Sequence, residues 1–177
     1  MGHLYFARHG QTIWNVENKI CGATDIALTE LGHEQGILLG HKVLELGLQI
    51  DEILYSPLMR AKDTALHVAE ITGIAAREEL RLKEQNFGKY EGTARNGEEF
   101  RLAKQNFVNS YECGESMLKL CHRIYSLLDE ITKSDKTYML VAHNGIARAV
   151  QSYFYDMSNK EFAEFGIDNC SILEYEF

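Results

Sequence analysis

Three short apolar runs punctuate the chain, at residues 3–7, 52–55 and 138–142. Each is rich in apolar and aromatic side chains and gives way to turn or helix-start residues, the pattern of strands buried on both faces. A fourth strand is predicted over residues 171–176. Between them the apolar positions change period. Leu58, Ala61, Ala65, Val68 and Ala69 recur every three or four residues, as do Met117, Leu120, Ile124, Leu127, Leu128 and Ile131, which predicts helices laying one face on a core. Ser56-Pro57 predicts a helix N-cap followed by proline in the first helical position, where its missing N–H costs nothing. Arg60 then falls in the first turn. Gly145, with Ile146, Ala149, Val150, Tyr153 and Phe154 behind it, predicts a helix beginning just after His143. Strands alternating with helices give an α/β sandwich with a mostly parallel sheet.

Composition narrows this picture. With 177 residues, 45% of them hydrophobic, a single proline and no repetitive or Ser/Gly/Pro-rich stretch, one compact domain over residues 1–177 is expected, without a linker. No apolar run approaches the roughly 20 residues that span a bilayer. The opening Met1-Gly2-His3-Leu4-Tyr5-Phe6 runs straight into Arg8 and His9 without a signal-peptide pattern, so a cytoplasmic, unprocessed protein with no membrane association is expected. The four cysteines show no C-x-x-C spacing, which favours free thiols in a reducing compartment over disulfides or zinc. A net charge of -8 argues against nucleic-acid or anionic-membrane partners. Any phosphate site in this chain must be locally basic.

Basic residues stand where the strands end: Arg8-His9 after the first, Arg60 after the second and His143 after the third. Open α/β sheets bind ligands at the carboxyl ends of their strands, so residues distant in sequence can meet there. Two histidines and two arginines on one rim make an anion pocket. Phosphoryl transfer to imidazole needs a neutral ring nitrogen, positive groups around the nonbridging oxygens, and a proton donor for the leaving oxygen. His9 can have one nitrogen fixed by a backbone carbonyl while the other attacks, and the planar forks of Arg8 and Arg60 suit phosphate oxygens. The backbone N–H groups after Gly10 and Gly145 are expected to add donors. A carboxyl beside a phosphate dianion, away from bulk water, holds a proton more readily, which makes Glu84 the predicted acid.

The segment Leu4-Tyr5-Phe6-Ala7-Arg8-His9-Gly10-Gln11-Thr12-Ile13-Trp14-Asn15 closely resembles the opening motif of the histidine phosphatase superfamily, which includes cofactor-dependent phosphoglycerate mutases and small-molecule phosphatases. Gly22, Asp25, Leu28, Thr29 and Gly32 fit its next block, and Ser56-Pro57-Leu58-Met59-Arg60-Ala61 with Thr64-Ala65 its arginine motif. Leu82-Lys83-Glu84-Gln85-Asn86-Phe87-Gly88-Lys89-Tyr90-Glu91-Gly92 is similar to its acid motif, and Gly114-Glu115-Ser116 and Val141-Ala142-His143-Asn144-Gly145 complete the series in order. The resemblance implies a three-layer α/β/α, phosphoglycerate mutase-like fold and no metal or organic cofactor. It implies His9 as nucleophile, Arg8, Arg60 and His143 as phosphate ligands, Asn15 as a further phosphate contact, and Glu84 as acid and base. Gln11, Cys21, Gly22, Asn144 and Gly145 are the remaining expected substrate contacts. At Cys21 relatives often place Thr; the thiol is a weaker donor, for which the Gly22 N–H could substitute. A redox role for Cys21 stands against the simpler reading of a small filler.

Mutases of this kind carry a long insertion with extra basic residues between the acid motif and Gly114. Here only residues 93–113 intervene, which predicts a hydrolase acting on a small phosphorylated metabolite. Asn86-Phe87-Gly88 looks most like the α-ribazole phosphatase and broad-specificity group. Arg95, Arg101 and Lys104 in that insert are candidate specificity residues, with solvated surface as the plainer reading. A phosphoglycerate mutase and a phospholigand-binding pseudophosphatase are the alternatives. No Cys-x5-Arg, Asp-x-Asp, Gly-x-Ser-x-Gly or Walker motif is present, and His33-Glu34 lacks the second histidine of a zincin.

Overall fold

Along β1 (His3–Arg8) the side chains alternate between two cores. Leu4 and Phe6 enter one hydrophobic cluster, Tyr5 and Ala7 the other. The computed structural model describes residues 2–177. After β1 come α1 (Ile13–Val16), α2 (Glu30–Glu45), β2 (Glu52–Tyr55), α3 (Met59–Thr72), β3 (Ala76–Glu78), α4 (Glu98–Ala103), α5 (Met117–Ile131), β4 (Tyr138–Ala142), α6 (Asn144–Phe154), α7 (Asn159–Glu164) and β5 (Ile172–Glu176). The strands form one sheet in the order β3-β2-β4-β1-β5, parallel throughout except for β5, which lies antiparallel against β1. Leu39 and Val43 of α2 and Ala65 and Val68 of α3 cover one face, packing on Tyr5, Ile53, Met139 and Val141. Leu120, Ile124, Leu127 and Leu128 of α5 and Ile146, Ala149 and Val150 of α6 cover the other, over Leu4, Phe6, Leu54 and Leu140. The three-layer sandwich follows from this two-sided burial, which removes apolar side chains from water on both faces of the sheet. Among the described residues, no helix is long and apolar enough to cross a membrane.

A third, smaller cluster of Ile20, Phe87, Tyr90, Phe100 and Tyr111 sits beneath the insert that carries α4. Phe100 and Tyr111 of the insert anchor it on this cluster, while Arg95 and Arg101 stay exposed and Lys104 is half-buried.

Several expectations need correction. Ser56 is not the N-cap of α3. Leu58 occupies that position without a side-chain cap bond, Pro57 lies outside the helix, and the Asp25 carboxylate accepts the Met59 N–H at 2.8 Å. Ser56 is instead wholly buried, with its hydroxyl 2.6 Å from Nε2 of His143. The edge strand β3 was not expected; its Ala-Arg-Glu sequence has no apolar pattern, and it forms by pairing with β2.

At one joint in this frame main chain lies directly on main chain. A Cβ on Gly10 would overlap the Gly32 carbonyl, and one on Gly32 would overlap the Gln11 carbonyl, so the loop after β1 lies directly on the first turn of α2. The Gly32→Ala variant is expected to lose roughly 1–3 kcal/mol of stability through this overpacking. A thermal midpoint unchanged from wild type would show that the two segments separate freely.

Candidate active site

The register of β1 on β4 pairs Arg8 with Ala142, so the next residue of each strand emerges on the same rim. These are His9 and His143. The His9 N–H donates to the Ala142 carbonyl at 3.0 Å, and the two imidazole centroids lie 5.2 Å apart. Nδ1 of His9 is held by the Gly10 carbonyl at 2.7 Å. That contact places the proton on Nδ1 and leaves Nε2 with a lone pair in the cavity.

Arg60, the second residue of α3, is fully buried; it donates to the Thr24 carbonyl at 2.9 Å and the Gly22 carbonyl at 2.7 Å. Arg8 donates to the Ile167 carbonyl at 2.6 Å. Neither forms an ion pair among the described residues. Nε of Arg8, Nε of Arg60 and Nδ1 of His143 are buried without any partner, a concentration of unmet polar groups that folded proteins normally avoid. Of the three residues, Arg8 lines the cavity, whereas Arg60 and His143 are fully enclosed and are not among its lining residues. Burial, with Arg60 and then Arg8 close by, holds the His9 imidazole well below the usual histidine range. Burial, Arg60 and His9 do the same to His143. Both rings are therefore held neutral. Burial and Arg95 push Arg8 down to about 10, which leaves it charged at neutral pH.

Glu84 is 5% exposed and forms part of the cavity wall. Its Oε2 accepts the Gly145 N–H at 2.9 Å and its Oε1 the Gln85 N–H at 2.8 Å, which docks the carboxyl on the N-terminal turn of α6, where the positive end of the helix dipole supports it. Asn15 and Asn144 also line the cavity. The Oδ1 of Asn15 accepts the Thr12 N–H at 3.0 Å and that of Asn144 the Ile167 N–H at 2.9 Å. Each amide is thereby oriented with its NH2 left to donate.

The structure also revises four expected donors and contacts. The N–H after Gly10, that of Gln11, is taken by the Gln35 side-chain carbonyl at 2.8 Å, the Gly145 N–H by Glu84, and the Gly22 N–H by Glu91 at 3.1 Å. None of these three backbone groups is available to a phosphate. Gly22 serves through its carbonyl, which holds Arg60. Gln11 is turned away, its Oε1 accepting from the Thr29 hydroxyl at 3.0 Å. Cys21 does line the cavity, and burial raises its thiol to about 11. A thiol at neutral pH is a poor target for oxidants, so the redox idea gives way to the filler role.

Two residues that carried no expected role hold the site together. Glu91 accepts from the N–H groups of Gly22, Ala23, Thr24 and Phe87 and from the Thr24 hydroxyl at 2.7 Å. It fixes the loop whose carbonyls hold Arg60. Asn169 donates to the His9 carbonyl at 2.7 Å, from a loop outside the blocks that resemble the superfamily. The Gly114-Glu115-Ser116 block is structural: Glu115 pairs bidentately with Arg123 at 2.8 Å, and Ser116 caps α5.

The profile of the histidine phosphatase superfamily (branch 1) matches residues 4–177. The chain belongs to this superfamily. It is 29% identical to a 2,3-bisphosphoglycerate-dependent phosphoglycerate mutase of a Chelativorans species, covering 94% of this chain and 87% of the relative. It is 31% identical to the corresponding Bartonella tribocorum mutase, covering 89% and 84%. Among solved structures it superposes on a mycobacterial glucosyl-3-phosphoglycerate phosphatase in complex with VO3 (TM-score 0.86, 27% identity, 98% of this chain and 90% of that one). An Entamoeba histolytica phosphoserine phosphatase in complex with 3-phosphoglyceric acid gives TM-score 0.85 and 27% identity, covering 100% and 91%. The phosphoglycerate mutase-like α/β fold is common to all of them.

The depressed histidines carry a consequence for stability. Below the unfolded value of about 6.5, the unfolded chain takes up protons that buried His9 and His143 refuse, so their contribution is full above that pH and is lost as pH falls through it. In phosphate-free buffer the thermal midpoint is expected to fall between about pH 7 and about pH 5, and less steeply in His9→Asn. Parallel slopes for the two proteins would place His9 in a solvated setting.

Proposed function

We propose that the protein is a phosphomonoesterase that moves the phosphoryl group of a small phosphorylated metabolite onto Nε2 of His9 and then onto water. The observation that carries this reading is the His9 ring itself, anchored at Nδ1 by Gly10, free at Nε2, and surrounded by guanidinium groups without carboxylate partners. In the first step the Nε2–P bond forms as the ester P–O bond breaks, and Glu84 gives its proton to the departing oxygen. In the second, Glu84 takes a proton from water as the water oxygen bonds phosphorus and the N–P bond breaks. Arg8, Arg60, His143 and the amides of Asn15 and Asn144 meet the nonbridging oxygens, where charge grows in the transition state.

Hydrolysis is favoured over mutase chemistry by the cap. Residues 93–113 supply one short helix, α4, over the pocket, and water then reaches the phosphohistidine more readily than it would beneath a long insertion. The names of the mutase relatives support the competing reading. Phosphoglycerate interconversion faster than phosphate release would establish it. The intact set of His9, Arg60, Glu84 and His143 opposes a pseudophosphatase. α-Ribazole phosphate, phosphosugars and phosphoglycerates form the natural substrate panel, the first because of the sequence resemblance around Asn86-Phe87-Gly88.

His9→Ala is expected to abolish phosphate release from an aryl phosphate. Glu84→Gln is expected to slow alkyl phosphates by about 100-fold or more while sparing aryl phosphates, whose leaving oxygen needs no proton. Equal losses on both classes, measured as kcat/KM, would remove Glu84 from the acid role.

A further inference from the structure

The cavity at His9 continues beneath the cap. Past Asn144 it opens into a second cavity of about 700 Å3 between the end of α4 and α7, and Arg95, Lys104, Asn144 and Arg148 belong to both. Three of these four shared residues are cations. Arg148 projects from α6 and is only 8% exposed. Its Nε donates to the Phe165 carbonyl at 2.8 Å, and its terminal nitrogens make no hydrogen bond. Lys104 is half-buried over the Phe100 ring, 5.7 Å from its centroid, and has no acceptor. Arg95 is exposed and donates only to the Lys19 carbonyl at 3.1 Å. None of the three forms an ion pair among the described residues, although Glu84 lies on the inner cavity and Glu164 on the outer one.

Arg148 is a desolvated cation with no paired carboxylate, an arrangement proteins normally avoid, and half-buried Lys104 and exposed Arg95 stand beside it. Here they crowd one another instead. Burial, then Arg148 and Arg95, push the Lys104 ammonium down to about 8. The cluster lies in a chain of net charge -8, so it is a local excess against the overall balance. It lies at the mouth of the His9 cavity, which it shares with Arg8, and continues from there into the second cavity.

We propose that the substrate's leaving group carries a second anionic group, a carboxylate or a further phosphate, that binds between Arg148, Lys104 and Arg95 while the scissile phosphate lies against His9. This assignment rests on the phosphomonoesterase reading. The first cavity recognises the reacting phosphate and the junction recognises what the phosphate is attached to. Charge-assisted contacts from a planar guanidinium and an ammonium would orient the leaving oxygen toward Glu84.

Calorimetric titration of His9→Ala tests the subsite apart from turnover, with two matched pairs of probes. Phosphoserine and phosphoethanolamine differ by a carboxylate; butane-1,4-diol bisphosphate and butyl phosphate differ by a phosphate. The member with the second anion is expected to bind at least about tenfold more tightly in one pair or both, and which pair responds identifies the group. Adding Lys104→Met or Arg148→Met should bring the two members close to equal affinity, whereas Lys104→Arg should preserve the preference. Lys104 is half-buried, so its variants carry the test if Arg148→Met does not fold. Equal affinities within both pairs, or a preference untouched by the methionine variants, would overturn the proposal. Wild-type protein that releases no phosphate from any probe, with the binding preference intact, would instead overturn the phosphomonoesterase reading alone.

Discussion

A guanidinium buried without a carboxylate governs this site. Arg60 is wholly enclosed and held by two carbonyls, so its charge is oriented but not neutralised. In a low-dielectric interior that charge reaches both imidazoles, and it is a main reason, after burial, that His9 and His143 stay unprotonated. The same charge waits for an anion. The neutrality of both imidazoles and the positive charge of the site thus share one origin, and the holding of Arg60 is in turn delegated to Glu91, which clamps the loop that supplies the carbonyls.

The sheet register performs the other half of the assembly. Parallel pairing of β1 with β4 brings residues 134 positions apart in sequence onto one rim, and the Ala142 carbonyl bonds the His9 backbone directly. β5, the antiparallel edge strand, follows a loop that pins this rim from the other side: Asn169 holds the His9 carbonyl, and the Cys170 N–H bonds the Arg8 carbonyl at 2.9 Å. Arg8 and His9 are therefore fixed through their backbones before any side chain acts.

Much of this was legible in the sequence, for identifiable reasons. The runs that became β1, β2, β4 and β5 are apolar because the sheet is covered or paired, and a period of three to four marks α3, α5 and α6 because each presents one face to it. The His9, Arg60, Glu84 and His143 positions could be read because their residue types recur in a known order. What escaped reading depends on neighbours that only folding supplies. The Gly22 N–H looked free until Glu91, 69 positions on, claimed both it and the two N–H groups that follow. Ser56 looked like a cap because serine before proline commonly is one, yet burial beside His143 gave its hydroxyl a different partner. Asn169 opens the sequon Asn169-Cys170-Ser171, a pattern that points to glycosylation and not to a bond with the His9 backbone.

The contact between the loop after β1 and the start of α2 brings main chain onto main chain at Gly10 and Gly32, and the Thr29 and Gln35 side chains tie Gln11 across it. The joint depends on Gly10, Gly32 and the two side chains that tie Gln11, so it is intolerant of replacements there and indifferent to those elsewhere on the outward surface of α2. The exterior of this helix can drift, acquiring new charges or new contacts, without the nucleophile registering the change.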